Sequence, residues 1–529
     1  MKIRLHYCLF LILQMVSVQS QQFNWATHVT GEEFQLGVKS VKDAQGNTYI
    51  IGYSTGPFEY NGVTYAPNGS ADAFFAKLDN NKALVWMKSV GGNDAVYYDS
   101  PQDIHIDPFG DIYLTFTSCG NNFTYDGQIL SGINSPGQYS GEAVLLKVNS
   151  DGNYIWHDSG TVDSSFQAIT TDDNGNVYVT GNFYESITLG GSITLNNPST
   201  GTTRDFLVAK YQPNGTIVWA KRAGGLPHNT FAYGFDLEIN PQTNEVIVLG
   251  KGEGAVYFGG VPLPTNGVLD KAIVLISYNM NGTQNWVKQV LNGYGYGYGI
   301  SLDISNSGII GVGGQIFDSG LVGFYNSDGS VISEQTYFSP SELRVDSITF
   351  NEFHDAYISG WCDAGGTLGI SPGTVTLSST TAFIAKIDVL QQVKWVEQFE
   401  GSRFANRVDY ENGIITYAGR IDNMFTYNSG QNVIHNNAGD ALFGEVIDHQ
   451  LLTTASFLPE NIVVYPNPTS GFIAIEANAL QQIEIYNING KRLENTNKSQ
   501  IDLSQYPCGI YFLKIISNKG STLKKVVLK

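Results

Sequence analysis

Short apolar runs recur along most of this chain, separated by turns rich in Gly, Asn and Asp. A well-preserved copy begins at residue 167 and holds four such runs, at 168–171, 177–181, 205–211 and 217–221. Runs of this length bounded by turn residues predict β-strands. A unit of four short strands cannot bury both of its faces alone. The pattern therefore predicts an all-β chain whose units stack on one another.

Most units carry a tryptophan in their fourth predicted strand, so the units can be counted from these tryptophans. The tryptophans at this place are Trp25, Trp86, Trp156, Trp219, Trp286 and Trp395, and Ser333 fills the one gap in the series. The steps between these seven positions run from 47 to 70 residues, which suits four strands with generous loops. Such a period is typical of β-propeller blades and predicts seven of them.

The two ends of the repeat region complement each other. No third-strand sequence precedes Trp25, whereas the last unit, 407–448, reaches its third strand and has no tryptophan strand after it. We expect residues 23–29 to complete the seventh blade and to close the ring. Closure would remove an exposed sheet edge, which otherwise invites aggregation.

The repeat resembles the SBBP family of bacterial β-propeller repeats over roughly residues 23–448. The resemblance includes a small hairpin inside the long loop of several units, at 58–62, 123–127, 257–260 and 425–428. The unit at 299–333 departs from it, with a minimal loop at 315–320 and no tryptophan. A propeller of this kind implies a fold rather than an activity, because propellers host many functions.

The first 20 residues have the pattern of a secretory signal peptide. Lys2 and Arg4 precede an apolar run at 8–18, and small residues follow it. This pattern predicts cleavage between Ser20 and Gln21. The apolar run is shorter than the roughly 20 residues that a bilayer requires, so no transmembrane segment is expected in the mature chain.

After a predicted linker at 449–461, residues 462–529 alternate apolar and polar positions between Pro and Gly turns. This pattern predicts a small Ig-like β-sandwich. The segment resembles the type A C-terminal sorting domain of the type IX secretion system of Bacteroidota. The resemblance rests on Pro466, Asn467, Pro468, Gly471, Gly490, Lys491, Gly509, Tyr511, Lys524 and Lys525. It implies recognition by the type IX machinery in the outer membrane and cleavage by a sortase-like peptidase, which leaves the cargo surface-attached or released.

Composition agrees with an exported protein. The formal net charge is −19, and residues 21–458 hold 19 basic against 43 acidic side chains. A nucleic-acid partner is excluded, because phosphates demand a basic face. Beyond Cys8, the three cysteines Cys119, Cys362 and Cys508 lie far apart in the predicted fold, and no disulfide framework is expected. The core must depend on packing, for which a domain of this size suffices.

The long connections predict where a partner binds. First-to-second and third-to-fourth connections are tight turns, whereas the others are long, and in antiparallel units all the long ones share one end. The aromatic candidates on this long-loop face are Tyr97, Tyr98, Phe231, Tyr233, Tyr294, Tyr296 and Tyr298. Such side chains offer stacking area, and tyrosine adds a hydroxyl, which suits a glycan or a peptide. The same aromatics are also the kind of residue that packs between blades.

Acidic residues near the start of the innermost strands form a second candidate site. Asp103, Asp236 and Asp346 occur there in three units, with Asp303 and Asp409 close by in two others, whereas the third unit has Ala168. A ring of carboxylates would suit a cation such as calcium or an acid/base pair. The plainer interpretation is an Asp that caps the start of a strand.

The sequence therefore predicts a non-enzymatic β-propeller, exported across the inner and then the outer membrane, which binds a glycan or a protein through its long-loop face and needs no cofactor. The alternative is a propeller-type polysaccharide hydrolase or lyase that uses channel carboxylates. A structural constituent of the cell surface without a specific ligand is a third possibility.

Overall fold

The structure, a computed structural model, describes residues 22–529 with gaps at 70, 93–98, 120–121, 132–140, 199–202, 226–229, 263–270, 291–300, 364, 370–373, 379–380, 401–403, 422–424, 428–430, 434–438, 449–462, 477–479, 488–491 and 518–519. The described residues form β-strands and turns and contain no helix, which confirms the all-β prediction. The chain divides into two compact units between Ile447 and Asp448.

The larger unit is a β-propeller built from antiparallel sheets of four main strands each, numbered here by their order in the chain; in sheets 3 and 7 a hairpin of the next unit adds two further strands. From innermost to outermost strand, the sheets are: sheet 1, Gln35–Lys42, Thr48–Ser54, Asp72–Leu78 and Leu84–Val90; sheet 2, Ser100–Ile106, Ile112–Ser118, Glu142–Val148 and Tyr154–Val162; sheet 3, Ser164–Thr171, Val177–Phe183, Asp205–Tyr211 and Ile217–Gly225; sheet 4, Phe231–Asn240, Glu245–Glu253, Lys271–Asn279 and Gln284–Val290; sheet 5, Ser301–Ile304, Ile310–Ile316, Ser319–Tyr325 and Val331–Tyr337; sheet 6, Leu343–Phe350, Ala356–Cys362, Thr381–Ile387 and Val393–Glu400; sheet 7, Phe404–Glu411, Ile414–Ile421, Asp440–Ile447 and Gln22–Gly31.

Small hairpins fill most of the second-to-third connections. They pair Phe58–Tyr60 with Val63–Tyr65, Phe123–Tyr125 with Gln128–Ser131, Ser186–Leu189 with Ile193–Asn196, Val256–Phe258 with Val261–Pro262, Thr367–Leu368 with Val375–Thr376, and Phe425–Tyr427 with Gln431–Val433. Sheet 5 instead turns directly from Ile316 to Ser319. The long and the short connections therefore lie at opposite ends of the sheets.

The repeated tryptophan explains why the units stack. Trp156 Nε1 donates to Pro213 O at 2.9 Å, and Trp219 Nε1 donates to Met280 O at 3.1 Å, in each case across to the third-to-fourth turn of the next sheet. Ser333 fills the same place, because its Oγ donates to Val389 O of sheet 6 at 2.6 Å. The hydroxyl thus reproduces the contact that the indoles of Trp156 and Trp219 make.

Hydrophobic clusters lie between successive sheets. Tyr178 and Phe206 of sheet 3 share a cluster with Val246 and Val274 of sheet 4, and equivalent clusters lie at the other junctions. One cluster joins the last sheet to the first, through Phe443 of sheet 7 and Phe74 of sheet 1. The core of this unit therefore consists of sheet-to-sheet layers, as stacked units require.

The N-terminal strand is the fourth strand of sheet 7. Val29 lies opposite Ala441, and Trp25 lies opposite Glu445, in the place that the other tryptophans hold in their sheets. Thr416 Oγ1 of sheet 7 donates to Ser40 O of sheet 1 at 2.9 Å. The strand that the last unit lacks is thus supplied by the other end of the repeat region.

The smaller unit has two sheets around one apolar core. One holds Val463–Tyr465, Phe472–Glu476 and Gln500–Asp502; the other holds Arg492–Thr496, Leu480–Asn487, Gly509–Ser517 and Gly520–Leu528. Ile473 and Ile501 of the first sheet share the core with Ile485, Leu513 and Val526 of the second.

Candidate functional site

A bulge places one side chain of each innermost strand at a common position. In sheets 1, 2, 3, 4, 6 and 7 the register with the second strand shifts by one residue near the start of the strand. A bulge inserts an extra residue and re-aims the side chains after it. The residues that match across the sheets are Lys39, Asp103, Ala168, Asp236, Ser301, Ser347 and Arg407. We call these the seven inner positions.

Oxygen-bearing side chains at these positions join one sheet to the next. Asp103 accepts from the Ile169 N–H of sheet 3 at 3.1 Å, and Asp236 accepts from the Leu302 N–H of sheet 5 at 2.8 Å. Ser301 and Ser347 make the equivalent contacts to the Ile348 and Val408 N–H groups. Each acceptor bonds the residue just after the next inner position, so these side chains link the sheets together.

Asp103 also binds two cations. Lys39 Nζ lies 2.7 Å and Arg407 Nη1 lies 3.2 Å from Asp103 Oδ1, and the carboxylate is only 2% exposed. Burial by itself would raise the pKa of Asp103, but the charges of Lys39 and Arg407 outweigh it and hold that pKa below its usual value. The carboxylate is therefore ionised and fully engaged.

A second acidic layer lies two residues further along three innermost strands. It consists of Glu238, Asp303 and Asp409. Burial raises the pKa of Asp303 to about 7, and burial together with the nearby Asp303 and Asp236 raises the pKa of Glu238 well above its usual value. Thr170 Oγ1 donates to Glu238 Oε2 at 2.9 Å, and the Phe350 N–H donates to Asp303 Oδ2 at 2.7 Å.

These two layers line a small cavity of about 50 Å³, whose lining includes Lys39, Asp236, Glu238, Asp303 and Arg407. Ligand pockets usually measure about 300–1,000 Å³. The inner carboxylates thus face each other, two cations and backbone amides, with room for little more than water. Among the described residues, no group of three or more His, Cys, Asp or Glu side chains has an arrangement that could hold a metal ion.

Asp346 does not share the inner position with Asp103 and Asp236. It is the extra residue of the bulge between Val345 and Ser347, and Ser347 takes the inner position of sheet 6. Its Oδ1 lies 3.2 Å from Arg344 Nε, and burial, with Glu342 nearby, raises the pKa of Asp346 to about 6 against the effect of that arginine. One inserted residue is enough to remove it from the layer.

Sequence reasoning missed the cations of this cluster. Lys39 and Arg407 occupy inner positions of sheets 1 and 7, as the aspartates do in sheets 2 and 4. The pattern of acidic residues alone does not reveal them. Lys39 pairs with the residue just before Gly52, and Arg407 pairs with the residue just before Gly419. Aligning the units on this second-strand glycine would therefore identify both cations as inner-position residues.

Two of the aromatic candidates lie on the innermost strand of sheet 4. The Phe231 and Tyr233 rings stack with centroids 6.2 Å apart and planes 6° apart, and Tyr233 stacks in turn on Phe235. Phe231 is at the long-loop end of its strand, and both residues are half-buried. The candidates Tyr97, Tyr98, Tyr294, Tyr296 and Tyr298 lie outside the described residues.

The sorting motif brings the start and the end of the smaller unit together. Asn467 Nδ2 donates to Lys525 O at 2.6 Å, while the Val527 N–H donates to Asn467 Oδ1 at 2.9 Å. The Thr469 N–H donates to Val527 O, and the Lys529 N–H donates to Thr469 O, both at 2.8 Å. The segment around Pro466 and Pro468 thus covers the edge of the last strand.

The other motif residues are distributed over this unit. Gly471 leads into the strand Phe472–Glu476, Gly509 begins the strand that contains the buried Tyr511, and Lys524 and Lys525 lie on the last strand. Gly490 and Lys491 lie outside the described residues, as do Ser20 and Gln21 of the predicted signal cleavage site. No helix in the part of the chain that the structure describes is long and apolar enough to cross a membrane.

Comparison with known proteins shows which family the smaller unit matches. Residues 463–529 match the family model of the secretion system C-terminal sorting domain. The chain thus combines a β-propeller with a C-terminal sorting domain, and that domain indicates export through the type IX secretion system.

The relatives found for the rest of the chain are distant. An uncharacterized WD repeat-containing protein, L264, of Acanthamoeba polyphaga mimivirus is 23% identical over 323 residues, which is 50% of this chain. The match spans less than a quarter, 23%, of that protein's length.

Among solved structures, virginiamycin B lyase from Staphylococcus aureus is 9% identical, with a TM-score of 0.39 over 80% of this chain and 98% of its own. An ulvan lyase of polysaccharide lyase family PL25 is 12% identical, with a TM-score of 0.40 over 79% and 96%. A protein of unknown function from Bacteroides caccae is 12% identical, with a TM-score of 0.33 over 61% and 89%. Likenesses this remote indicate no activity.

Proposed function

We propose that this protein is an exported, non-enzymatic, seven-bladed β-propeller that binds a glycan or a protein through its long-loop face. In this proposal the sheets form a ring that the N-terminal strand closes, and the repeats are of the SBBP type. The cluster that joins Phe443 of sheet 7 to Phe74 of sheet 1 supports closure, because it is equivalent to the clusters at the other junctions.

One observation carries the choice of a binding protein. The carboxylates near the axis already have partners: Asp103 holds Lys39 and Arg407, and Asp236 holds the Leu302 N–H. A general acid or base must be within hydrogen-bond reach of its substrate. The space of about 50 Å³ between these side chains is too small for a sugar residue. Binding is therefore assigned to the loop-bearing end, where rigid sheets present variable connections.

The alternative, a polysaccharide hydrolase or lyase, requires a carboxylate near the axis to reach a substrate. Incubation of the mature protein with a panel of polysaccharides would show new reducing ends or new absorbance from unsaturated sugars. Turnover abolished by Asp236→Asn, in a variant that still unfolds cooperatively, would establish this alternative and overturn the proposal.

The sorting domain gives the protein its place in the cell. In this proposal the smaller unit is an Ig-like sandwich that the type IX machinery recognises and a sortase-like peptidase removes, so that the propeller is left on the surface or released. Deletion of 463–529 from the chromosomal copy should leave the propeller in the periplasm. Propeller found on the surface or in the medium of that strain would refute this route.

The proposed glycan ligand is tested by binding of the mature protein to an array of bacterial, algal and plant polysaccharides. The measurement is made both with calcium and with a chelator. We expect binding that is independent of calcium and is lost when Tyr294, Tyr296 and Tyr298 are changed to Ala. The absence of any glycan binding would move the assignment to a protein partner or a structural role, which cross-linking on intact cells would distinguish.

A further inference from the structure

Three chain segments meet at the long-loop end between sheets 5 and 6. The first is the two-residue turn that contains Phe317 and Asp318, the second is the connection 338–342, and the third follows Cys362. The Leu343 N–H donates to Asp318 O at 2.9 Å, and the Thr367 N–H donates to Phe338 O at 3.2 Å. Gln315 Nε2 donates to Glu342 Oε1 at 2.9 Å. The segments are thus fixed to one another by hydrogen bonds.

Phe317 has a backbone conformation that its side chain disfavours. Its φ is +49°, in the left-handed region, where a bulky residue is rare and costly. Two-residue hairpin turns place Gly or Asn at such positions. The ring is 59% exposed and therefore gains little from burial. An unfavourable conformation that exposes an aromatic ring indicates a use for that ring outside the core.

A second exposed ring lies at the same edge. Phe338 is 67% exposed and follows Tyr337, which pairs with Gly320 just beyond the Phe317 turn. Sheet 5 is also the sheet whose direct turn leaves out the small hairpin that fills this connection in the other sheets. The short turn therefore leaves both rings open to a ligand approaching the long-loop face.

The charges around these rings select the ligand. Three acidic residues lie near these rings. Asp318 is exposed, and Glu342 lies on the connection after Phe338. Asp363 is held next to Glu342, because its N–H donates to Glu342 O at 3.0 Å. The cation Arg344 is paired with Asp346. Carboxylate oxygens accept hydrogen bonds, so these side chains suit the hydroxyl groups of a sugar and disfavour uronate or sulfate groups. A protein surface this acidic disfavours a polyanion in any case.

We propose that the rim formed by Phe317, Phe338, Asp318 and Glu342 is a binding site for a neutral glycan chain, whose sugar faces stack on the two phenylalanine rings while its hydroxyls donate to the carboxylates. This inference rests on the proposed function, for which it names a second subsite and the class of ligand.

The mature full-length protein is tested by biolayer interferometry against neutral probes (laminarin, mannan and xyloglucan) and anionic probes (polygalacturonate and alginate). The variants are Phe317→Asn and Phe338→Ser. The matched control is Phe109→Asn, since Phe109 is 69% exposed on a tight turn at the opposite end of the sheets. Thermal unfolding of each variant accompanies the binding measurement.

We expect at least one neutral probe to bind, and Phe317→Asn to weaken it by about twofold to tenfold, the scale of one lost stacking contact. Its midpoint of unfolding should be unchanged or higher, because Asn tolerates the left-handed region. Phe338→Ser should weaken binding similarly, and Phe109→Asn should bind as the wild type does.

Other outcomes overturn the inference in distinguishable ways. Neutral binding that survives Phe317→Asn and Phe338→Ser would remove this site and leave the proposed function standing. Binding of polygalacturonate or alginate alone would show the ligand class to be wrong. No binding to any probe would remove both the site and the proposed glycan ligand.

Discussion

Arg407 Nη1 lies 3.2 Å from Asp103 Oδ1, although the two residues belong to sheets 7 and 2, which do not follow each other in the chain. Lys39 of sheet 1 reaches the same oxygen at 2.7 Å. With the Ile169 N–H of sheet 3, which donates to Asp103 Oδ2, four sheets are joined through one buried carboxylate. The cluster holds the start and the end of the repeat region together, in addition to the pairing of the N-terminal strand with sheet 7.

Asp103→Asn should destabilise the propeller strongly. It removes the negative partner of two largely buried cations, a change that typically costs about 3–5 kcal/mol of unfolding free energy. Urea denaturation of the mature protein measures the effect.

Asp126→Asn is the control for that change. Asp126 pairs with Lys88 at 3.2 Å but is 47% exposed, so its loss should cost at most about 1 kcal/mol. Equal small effects of the two substitutions would show that the Asp103 cluster does not stabilise the fold.

Asp303 should make the protein less stable as pH rises. Its pKa in the folded protein is raised to about 7 by burial, while that of an unfolded Asp is about 3.9. Between these values the folded state holds a proton that the unfolded state has lost, so the contribution of this group to stability falls with rising pH, by at most about 1.4 kcal/mol per pH unit.

Denaturation midpoints from pH 4 to pH 8 test the direction. Asp303→Asn should flatten the decline relative to the wild type, because the amide does not titrate. The contribution of Asp103 to stability has the opposite pH dependence, because its pKa is lowered in the folded protein. That contribution is present above about pH 4, the pKa of an unfolded Asp, and is lost as the pH falls through the folded-state pKa. A wild type and an Asp303→Asn variant with parallel profiles would contradict the assignment.

Gly282→Ala should cost more than Gly260→Ala. Both glycines have a left-handed φ, +78° and +82°, so alanine is disfavoured at either by about 1 kcal/mol. At Gly282 a Cβ would also lie 2.7 Å from the Trp219 ring, whereas at Gly260 it would meet no atom within 4 Å. The additional overpacking typically costs about 1–3 kcal/mol.

Thermal or urea unfolding of the two alanine variants gives that difference directly. It measures the contact between the tryptophan of one sheet and the turn of the next. Indistinguishable variants would mean that the indole moves aside without loss.

Asn467→Ala should loosen the last strand of the sorting domain. The change removes two hydrogen bonds at the exposed edge of this strand, to Lys525 O and from the Val527 N–H, each of which typically contributes about 0.5–1.5 kcal/mol. Hydrogen exchange of the Val527 amide should quicken, and export should decline with it. The control is Asn495→Ala, at an exposed asparagine of the same unit. If the Val527 amide exchanges at the normal rate in Asn467→Ala, the hydrogen bonds of Asn467 do not hold the last strand.

Much of the architecture can be predicted from the amino-acid sequence. Strand positions, tight turns, the missing loop of sheet 5 and the pairing of residues 23–29 with the last unit all follow from local patterns and their spacing. Ser333 was placed correctly by spacing alone, yet its bond to Val389 O was not foreseeable, because that partner belongs to the next sheet.

The sequence by itself determined the repeat, its strands and the sorting domain, because periodicity, turn residues and motifs are local properties of the chain. The tertiary structure decided what the inner carboxylates do. A one-residue bulge separates Asp346 from the position that Asp103 and Asp236 share, and stacking of the sheets brings Arg407 to Asp103 from the far end of the repeat region. Contacts of this kind depend on how twisted sheets converge near one axis, and no spacing along the chain records that convergence.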